Sequence, residues 1–279
     1  MPTTDPTAGA RSFGSSFRSV DQAESPDALL AFLDRVAEVP AVREIKRGAT
    51  LALSLSAGDR VLDVGCGTGV DLADMAESVL PGGCVVGIDS SRAAIGVAAD
   101  RISQGNGVSV EVADAHDLPF DDASFDAARA DRVLLHLERP ECALSEIRRV
   151  LARDGRLVVL ETWATLAGDA ELLDHAVYQE LESIWRPDEQ RARIELFLPL
   201  LLTRGGFAAP ALEQGGIEST MFSDANTMLR LAARVEGAVD EGRIPISDGI
   251  GWLRALESGM RSRDVVLRVG FARLLARAA

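Results

Sequence analysis

The most constraining feature of this sequence is a short apolar segment that runs directly into a glycine-rich loop. Residues 61–69 read VLDVGCGTG, and an amphipathic stretch from Val70 to Leu80 follows them. A short apolar run bounded by glycine predicts a buried strand, and the apolar spacing after the loop predicts a helix. Glycines at alternate positions let a ligand approach the backbone closely. The pattern therefore predicts a ligand-binding turn between a strand and a helix.

The same alternation of apolar runs and amphipathic stretches continues along the chain. The first strand is predicted at residues 60–64. Further strands are predicted at 84–89, 108–112, 125–130, 156–161, 217–222 and 265–275. Strands that are apolar on both faces and alternate with helices are typical of a parallel sheet covered on both sides. We therefore predict an α/β fold, a Rossmann-like doubly wound seven-stranded sheet with helical inserts over its carboxyl edge.

Changes in composition divide the chain into five predicted segments. They are a mobile N-terminal arm at 1–20, N-terminal helices at 21–56, the α/β core at 57–162, a helical cover insert at 163–206, and late strands with a second helical insert at 207–279. The arm is rich in Pro, Gly, Ser and Thr, which is typical of mobile segments. The inserts are expected over the sheet edge at which open α/β sheets bind ligands.

Charge and cysteine content exclude several classes of function. The chain has 29 Lys and Arg against 43 Asp and Glu, a net charge of -14. Because such a chain repels phosphate backbones and anionic lipids, we expect neither nucleic acid nor a membrane surface as partner. The three cysteines lack the spacing of zinc or redox motifs, and the N-terminus lacks a signal-peptide pattern. These features favour a cytoplasmic protein without a bound metal.

The spacing within the glycine loop narrows the class of ligand. A dinucleotide-binding loop has the spacing G-x-G-x-x-G, whereas this loop has G-x-G-x-G with Asp63 just ahead of it. A carboxylate beside the loop repels a pyrophosphate and attracts a cationic group. The motif therefore favours an amino-acid-bearing cofactor without phosphates.

Acids also follow the next two predicted strands. Asp89 ends the second strand, where a carboxylate can accept hydrogen bonds from ribose hydroxyls; the alternative is a simple cap of the following helix. Asp114 follows the third strand, where it can accept a hydrogen bond from an adenine amino group. Acids at successive strand ends lie along one edge of a parallel sheet, so the three together predict a nucleoside site.

Several segments resemble a known family in the correct order and spacing. VLDVGCGTG, VVGIDSS, VADAHDLPF, SFDAARADRVLLHL and RVLARDGRLVV are similar to the successive motifs of class I S-adenosylmethionine-dependent methyltransferases. The similarity covers about residues 40–162 and is greatest to the small-molecule branch, the quinone-biosynthesis and natural-product methyltransferases. It implies S-adenosylmethionine as the cofactor and methyl transfer to oxygen, nitrogen or carbon of a small organic substrate.

The resemblance also implies a role for individual residues. The predicted cofactor contacts are Asp63, Gly65, Gly67, Gly69, Asp89, Ser90, Asp114, Ala115, Asp131 and Arg132. The glycines would line methionine and ribose, Asp89 would hold the ribose hydroxyls, and Asp114 with the Ala115 amide would read adenine. Asp131 and Arg132 would lie near the methionine. Two departures from the family pattern are Arg153-Asp154-Gly155 for the usual Pro-Gly-Gly turn, and Ala94 for a larger residue on adenine.

Methyl transfer from a sulfonium requires an aligned nucleophile, exclusion of water and, for a protonated nucleophile, a base. His136 follows the fourth strand in a short helical segment and is the predicted catalytic base or substrate contact. The alternative is a histidine on a helix flank. Phe13, Phe17, Trp163 and Tyr178 are predicted to contact an apolar substrate, with core packing as the alternative.

Two other classes of function remain open from the sequence. A cyclase or pericyclase with the methyltransferase fold would keep the cofactor site but use the cofactor structurally, so the same acids would be present. A non-catalytic binding protein is the third option, and the intact cofactor acids argue against it. The oligomeric state is also open, with a homodimer as one option.

Overall fold

The structure is a computed structural model of the 279-residue chain and describes residues 20–102, 107–184 and 189–278. Most of the predicted arm, including Phe13 and Phe17, lies outside the described residues. Within the described part, no helix combines the length and apolar character that a membrane crossing requires.

A single seven-stranded sheet forms the centre of the fold. Its strands are β1 Arg60–Val64, β2 Cys84–Asp89, β3 Val108–Val112, β4 Phe125–Asp131, β5 Leu151–Gly168, β6 Phe207–Ser219 and β7 Val265–Ala278. The spatial order is β3-β2-β1-β4-β5-β7-β6, and β7 runs antiparallel to both of its neighbours. The order reverses between β1 and β4, and such a switch point is where open sheets bind ligands. The predicted doubly wound α/β fold is confirmed.

Helices cover both faces of this sheet. The N-terminal pair is α1 Pro26–Glu38 and α2 Pro40–Ala52, and the crossover helices are α3 Leu72–Val79, α4 Arg92–Arg101 and α5 Pro140–Val150. Between β5 and β6 lie α6 Ala170–Leu173, α7 Ala176–Ile184 and α8 Glu189–Arg204; between β6 and β7 lie α9 Phe222–Leu229, α10 Leu231–Asp240 and α11 Ile246–Ser262. Pro26, Pro40 and Pro140 each begin a helix, where the missing N–H has no intrahelical partner to lose.

The structure has two hydrophobic cores, one on each face of the sheet, because successive side chains of each strand point to opposite faces. Val61 of β1 and Val158 of β5 face the core that includes α2, α3 and the second insert, whereas Leu62 and Val159 face the core formed with α5 and α8. Successive side chains of a strand point to opposite faces, so strands buried on both sides need apolar residues at every position. This is why the strand segments of the sequence are continuously apolar and do not alternate between apolar and polar residues.

The late strands are longer than the sequence pattern predicts. β5 reaches Gly168 instead of ending near Glu161, because β7 pairs with it without interruption as far as Gly168 and Val265. Trp163 therefore lies in β5 opposite Gly270, and not in the helical cover insert. A Cβ at position 270 would come within 2.3 Å of the Trp163 ring, so the glycine makes room for the indole. Likewise β6 begins at Phe207, ten residues before the predicted start.

Tyr178 is packed in the core, which was the alternative to its predicted contact with the substrate. Its side chain is 6% exposed and its ring stacks on Trp252, with the ring centroids 5.8 Å apart. The indole nitrogen of Trp252 donates a hydrogen bond to the Leu172 carbonyl at 3.1 Å. Burial raises the pKa of Tyr178 well above its usual range. The two rings thus form the packed contact between the two helical inserts.

Replacement of Trp252 by alanine is expected to lower the free energy of unfolding by about 3–5 kcal/mol, because it leaves a cavity beneath Tyr178. Urea denaturation of the full chain measures this change. Ile250 lies on the same helix but is 43% exposed, so Ile250→Ala should change stability by less than about 0.5 kcal/mol. Equal losses in the two variants would contradict the assignment of Trp252 to the core.

Candidate functional site

The glycine loop, residues 65–69, lies at the carboxyl end of β1. Gly65, Gly67 and Gly69 have φ angles of +68°, +55° and +74°, a region that side chains other than glycine rarely adopt. A Cβ on Gly67 would meet only the Leu33 side chain, at 3.8 Å, whereas a Cβ on Gly65 would clash with Val133 at 2.4 Å. Val133 thus packs against the loop at Gly65, and the space beside Gly67 is open to a ligand.

Asp89 links the end of β2 to this loop. Its Oδ2 accepts a hydrogen bond from the Gly67 N–H at 3.0 Å, and its Oδ1 accepts one from the Ser91 N–H at 2.9 Å. Each carboxylate oxygen has a second lone pair, so two further donors can be accommodated. Burial raises the pKa of Asp89, although the backbone N–H groups act in the opposite direction. The arrangement fits a vicinal diol such as that of a ribose, with the exposed Ser90 beside it.

Asp21 is a residue of this region that the sequence analysis did not find. It lies in a 3-10 turn, Val20–Gln22, and its carboxylate accepts hydrogen bonds from the Ser91 hydroxyl and from the backbone N–H of Arg92 at 2.9 Å. These bonds cap the N-terminus of α4 and lower the pKa of Asp21. The start of the described chain is therefore fixed beside the ribose end of the site.

A second contact joins α1 to the glycine loop. The carboxylate of Asp34 accepts a hydrogen bond from the Thr68 hydroxyl at 2.5 Å and pairs with Arg101 at 2.7 Å. Arg101 also donates to the Thr68 carbonyl at 2.6 Å. Because both ends of Thr68 are held, the loop conformation depends on α1 as well as on the sheet.

Asp114 lies beyond the end of β3, next to Asp89 along the sheet edge. Its Oδ1 accepts a hydrogen bond from the His116 N–H at 2.9 Å and lies 2.7 Å from the His116 Nδ1. These contacts hold the pKa of Asp114 below its usual value. The side chain is 65% exposed, so its Oδ2 remains accessible to a further donor, while the neighbouring Ala115 is buried.

The placement of Asp63 bears on its predicted contact with the cofactor. Its side chain is almost fully buried, and its two oxygens accept hydrogen bonds from Nε and Nη2 of Arg129 at 2.8 and 2.9 Å. The two residues stand opposite each other in the register of β1 and β4. A carboxylate held in this way supports the end of β1, and its contact with the cofactor stays a prediction.

The pair is part of a larger cluster that we call the buried ion network. Its members are Lys46, Asp63, Asp71, Arg129, Asp131 and Arg132. Arg129 also donates to Asp71 at 2.9 Å, and Lys46 from α2 lies 2.6 Å from Asp71 and 3.5 Å from Asp131. With three cations and three carboxylates, the network is neutral.

Electrostatics inside the network favour the charged forms of Asp71, Arg129 and Asp131, whereas at Asp63 burial outweighs the effect of Arg129 and raises the pKa. Burial opposes the charge of Arg129, but Asp63 and Asp71 outweigh it and raise its pKa. Burial likewise opposes the charge of Asp131, but Arg132 and Lys46 outweigh it and lower its pKa. Asp131 is therefore neutralised by the protein itself, whereas Arg132, with a φ of +56° and a side chain 21% exposed, reaches the surface of the edge.

His136 lies in the segment that follows β4, and Glu161 lies in β5. His136 ends a 3-10 turn, Leu134–His136, which contacts α8, and it is half-buried. Glu161 is 1% exposed and shares the strand face of Val159. The Arg132 N–H donates to the Leu160 carbonyl at 2.8 Å, so the residue before Glu161 is bonded to the chain just after β4. Glu161 was not among the predicted site residues, although a carboxyl group at the end of a predicted apolar strand could have indicated it.

Arg129→Met is expected to lower the free energy of unfolding by about 3–5 kcal/mol, because it leaves Asp63 buried without its cation. Asp63→Asn combined with Arg129→Met should recover part of the loss, since the uncompensated charge is then absent. Arg268 forms an exposed pair with Glu218 and serves as the control: Arg268→Gln should cost less than about 1 kcal/mol. A small loss in Arg129→Met by urea denaturation would refute the network.

Comparison with known proteins agrees with this geometry. The family model described as "Methyltransferase domain" matches residues 55–216, more than half of the chain. An uncharacterized 37.1 kDa protein in transposon TN4556 of Streptomyces fradiae is 36% identical over 86% of this chain and 70% of its own. The O-methyltransferase resE of Aspergillus sclerotiorum is 32% identical over 77% of this chain and 79% of its own.

A solved structure is also similar to this chain. The [4+2]-cyclase SpnF matches with a TM-score of 0.51 and 27% identity, over 85% of this chain and 80% of its own. The matched family segment begins just before β1 and contains the glycine loop, Asp89, Asp114 and the strand ends described above. The chain therefore belongs to the methyltransferase domain family, and it is a class I S-adenosylmethionine-dependent methyltransferase.

Proposed function

We propose that this methyltransferase transfers its methyl group to a hydroxyl oxygen of a small organic substrate, the acceptor. The observation that carries the assignment of the site is Asp89, whose carboxylate is fixed on the Gly67 amide beside open space and keeps lone pairs for a diol. The choice of oxygen is supported by the similarity to the O-methyltransferase resE.

The residues at the carboxyl edge fit S-adenosylmethionine in a consistent order. Asp89 would accept the ribose hydroxyls beside Ser90, and the backbone of Gly65, Gly67 and Gly69 would line the methionine and ribose. Asp114 would accept from the adenine amino group through Oδ2, next to the Ala115 amide. Arg132 would lie at the rim, while Asp63 and Asp131 support the edge through the buried ion network. When bound, the cofactor supplies a methyl group that is already electrophilic.

His136 is the proposed base for the acceptor hydroxyl. A hydroxyl nucleophile must lose its proton as the new bond forms, and imidazole is suited to this near neutral pH. Of the other two histidines, His116 contacts Asp114 on the adenine side, and the exposed His175 accepts a hydrogen bond from the Val177 N–H on the insert. His136 follows β4 directly, at the methionine end of the proposed cofactor site.

A cyclisation with structural use of the cofactor is the second candidate. The similarity to SpnF, a [4+2]-cyclase, supports it. The two functions differ in one product. Methyl transfer releases S-adenosylhomocysteine in step with the changed acceptor, whereas a cyclisation releases none.

Asp89→Asn is expected to weaken binding of S-adenosylmethionine by about 1.5–3 kcal/mol, because it removes charge-assisted hydrogen bonds to the ribose. Titration calorimetry measures the change. The exposed acid Asp74 on α3 provides the control, since Asp74→Asn removes one charge near the loop without touching the edge. Equal affinity of the wild type and Asp89→Asn would exclude Asp89 from the cofactor site.

Asp89 also predicts that the affinity for the cofactor depends on pH. Because the pKa of Asp89 is raised by burial, the carboxylate becomes protonated at a higher pH than an ordinary aspartate. Cofactor affinity in the wild type should therefore fall on acidification, with its midpoint above the usual aspartate pKa of about 4. Asp89→Asn should lack this component. A midpoint at or below about 4, or one unchanged in the variant, would contradict the assignment.

His136→Gln is expected to lower the release of S-adenosylhomocysteine by about 10²-fold or more while the cofactor Kd stays within about twofold. A panel of phenols and aliphatic alcohols provides the acceptors, and His175→Gln is the matched control. Wild-type turnover in His136→Gln would mean that His136 is structural. An acceptor that changes without release of S-adenosylhomocysteine would overturn methyl transfer in favour of cyclisation.

A further inference from the structure

The segment that follows β3 carries Asp114, and its backbone is fixed on both sides of that residue. On one side, the Ala113 N–H donates to the Asp89 carbonyl at 3.1 Å, so the chain is tied to the end of β2. On the other side, the Leu118 N–H donates to Oε2 of Glu146 on α5 at 3.0 Å. The backbone around Asp114 is therefore positioned by the sheet and by a crossover helix.

Arg149 on α5 strengthens the attachment to this helix. It pairs with Glu146 at 2.7 Å and donates to the Leu118 carbonyl at 3.0 Å and to the Phe120 carbonyl at 2.7 Å. All of these bonds are made outside the short stretch between Asp114 and Leu118. The path of the backbone therefore does not depend on the side chains within that stretch.

The side chain of Asp114, in contrast, is 65% exposed and is held by one neighbour. Its Oδ1 accepts a hydrogen bond from the His116 N–H at 2.9 Å and lies 2.7 Å from Nδ1 of the same histidine. An exposed aspartate without such contacts samples several rotamers, and a ligand that requires one of them binds less tightly. Both contacts use Oδ1, so Oδ2 is the oxygen left for a further donor.

The short contact also determines which ring nitrogen of His116 carries a proton. The His116 N–H and then its ring hold the pKa of Asp114 below the usual value, so the carboxylate is charged and only accepts. A nitrogen 2.7 Å from a carboxylate oxygen must present an N–H, because two acceptors repel each other. Nε2 of the ring is buried and has no hydrogen-bond partner among the described residues. The polar contact of this imidazole, within the described part of the chain, is therefore with Asp114.

The two donors of His116 have different consequences for Asp114. The bond from the backbone N–H is an Asx turn, which any residue other than proline at position 116 supplies. It holds one oxygen but leaves the carboxylate free to rotate about that bond. The second donor, from the imidazole, comes from another direction and stops this rotation. The side chain of His116 therefore sets the orientation of Oδ2.

We propose that His116 is a positioning residue that orients the Asp114 carboxylate towards an amino group at C6 of a purine, so that the site selects adenine over a 6-oxopurine. The inference rests on the proposed function, in which Asp114 accepts a hydrogen bond from the adenine amino group. An oriented Oδ2 accepts an N–H at C6, whereas a carbonyl oxygen at C6 faces it as a second acceptor and is repelled. A carboxylate that rotates turns instead to the N1–H of the 6-oxopurine, and the discrimination is lost.

The experiment compares two replacements of the same shape, His116→Asn and His116→Leu. Both side chains branch at Cγ, but only the amide N–H of Asn can take the place of the imidazole Nδ1–H. Titration calorimetry of the full chain measures the Kd of S-adenosylhomocysteine and of S-inosylhomocysteine, in which an oxygen replaces the amino group at C6. His175→Gln, a change at an exposed histidine of the first insert, is the control.

Wild type and His175→Gln should bind S-adenosylhomocysteine about tenfold or more tightly than S-inosylhomocysteine. In His116→Leu the affinity for S-adenosylhomocysteine should fall by about fivefold and the preference to less than about threefold, whereas His116→Asn should stay within about twofold of the wild type in both quantities. Equal losses in the two variants would overturn the proposal, because the ring would then act through its volume alone. A wild-type preference in His116→Leu would overturn it as well.

Asp114→Asn separates this proposal from the proposed function, since it should abolish the preference for the amino group. A preference that is lost in Asp114→Asn but kept in His116→Leu would overturn the role of His116 and leave the adenine contact of Asp114 in place. A preference that is kept in Asp114→Asn would overturn the adenine contact and the proposal together. Failure of the wild type to bind S-adenosylhomocysteine would overturn the proposed function.

Discussion

The ion pair between Asp63 and Arg129 is the interaction on which the cofactor edge depends. It joins β1 to β4 at the point where the strand order reverses, and both side chains are buried. Burying either charge alone would cost several kcal/mol, so the two residues are buried as a pair. Asp71 and Lys46 extend this pair to α3, the helix after the glycine loop, and to α2. The result is a neutral, rigid base for the loop. The carboxylates that remain available for recognition are Asp89, which lies one strand outwards on backbone N–H groups, and the exposed Asp114, which lies one strand further.

The N-terminal helices belong to this edge as much as the sheet does. Asp21 caps α4, Asp34 holds Thr68, and Lys46 enters the buried ion network. Each contact joins residues far apart in sequence and ends on a group that shapes the cofactor site. The cover over the glycine loop is therefore fixed by specific polar contacts rather than by apolar packing alone.

The sheet, the glycine loop and the edge acids were predictable because their signals are local. β1 and β2 match the predicted ranges, and Asp89 and Asp114 follow strands in the chain and lie together because parallel strands end at one edge. Lys46 and Arg129 were not predicted, because their roles depend on partners identified only by register and packing. An arginine inside the apolar strand 125–130 was the available signal, since a buried guanidinium requires a carboxylate. Trp163 was misplaced because the length of β5 is set by its pairing with β7, which local periodicity does not contain.

A crystal structure with S-adenosylhomocysteine bound tests the central claim most directly. We predict that the ribose hydroxyls donate to Asp89 and the adenine amino group to Asp114, while Asp63 keeps both hydrogen bonds to Arg129. The glycine loop should retain its left-handed backbone, and Thr68 should remain on Asp34. A complex in which Asp63 releases Arg129 and contacts the ligand directly, or in which the ribose lies away from Asp89, would contradict the account.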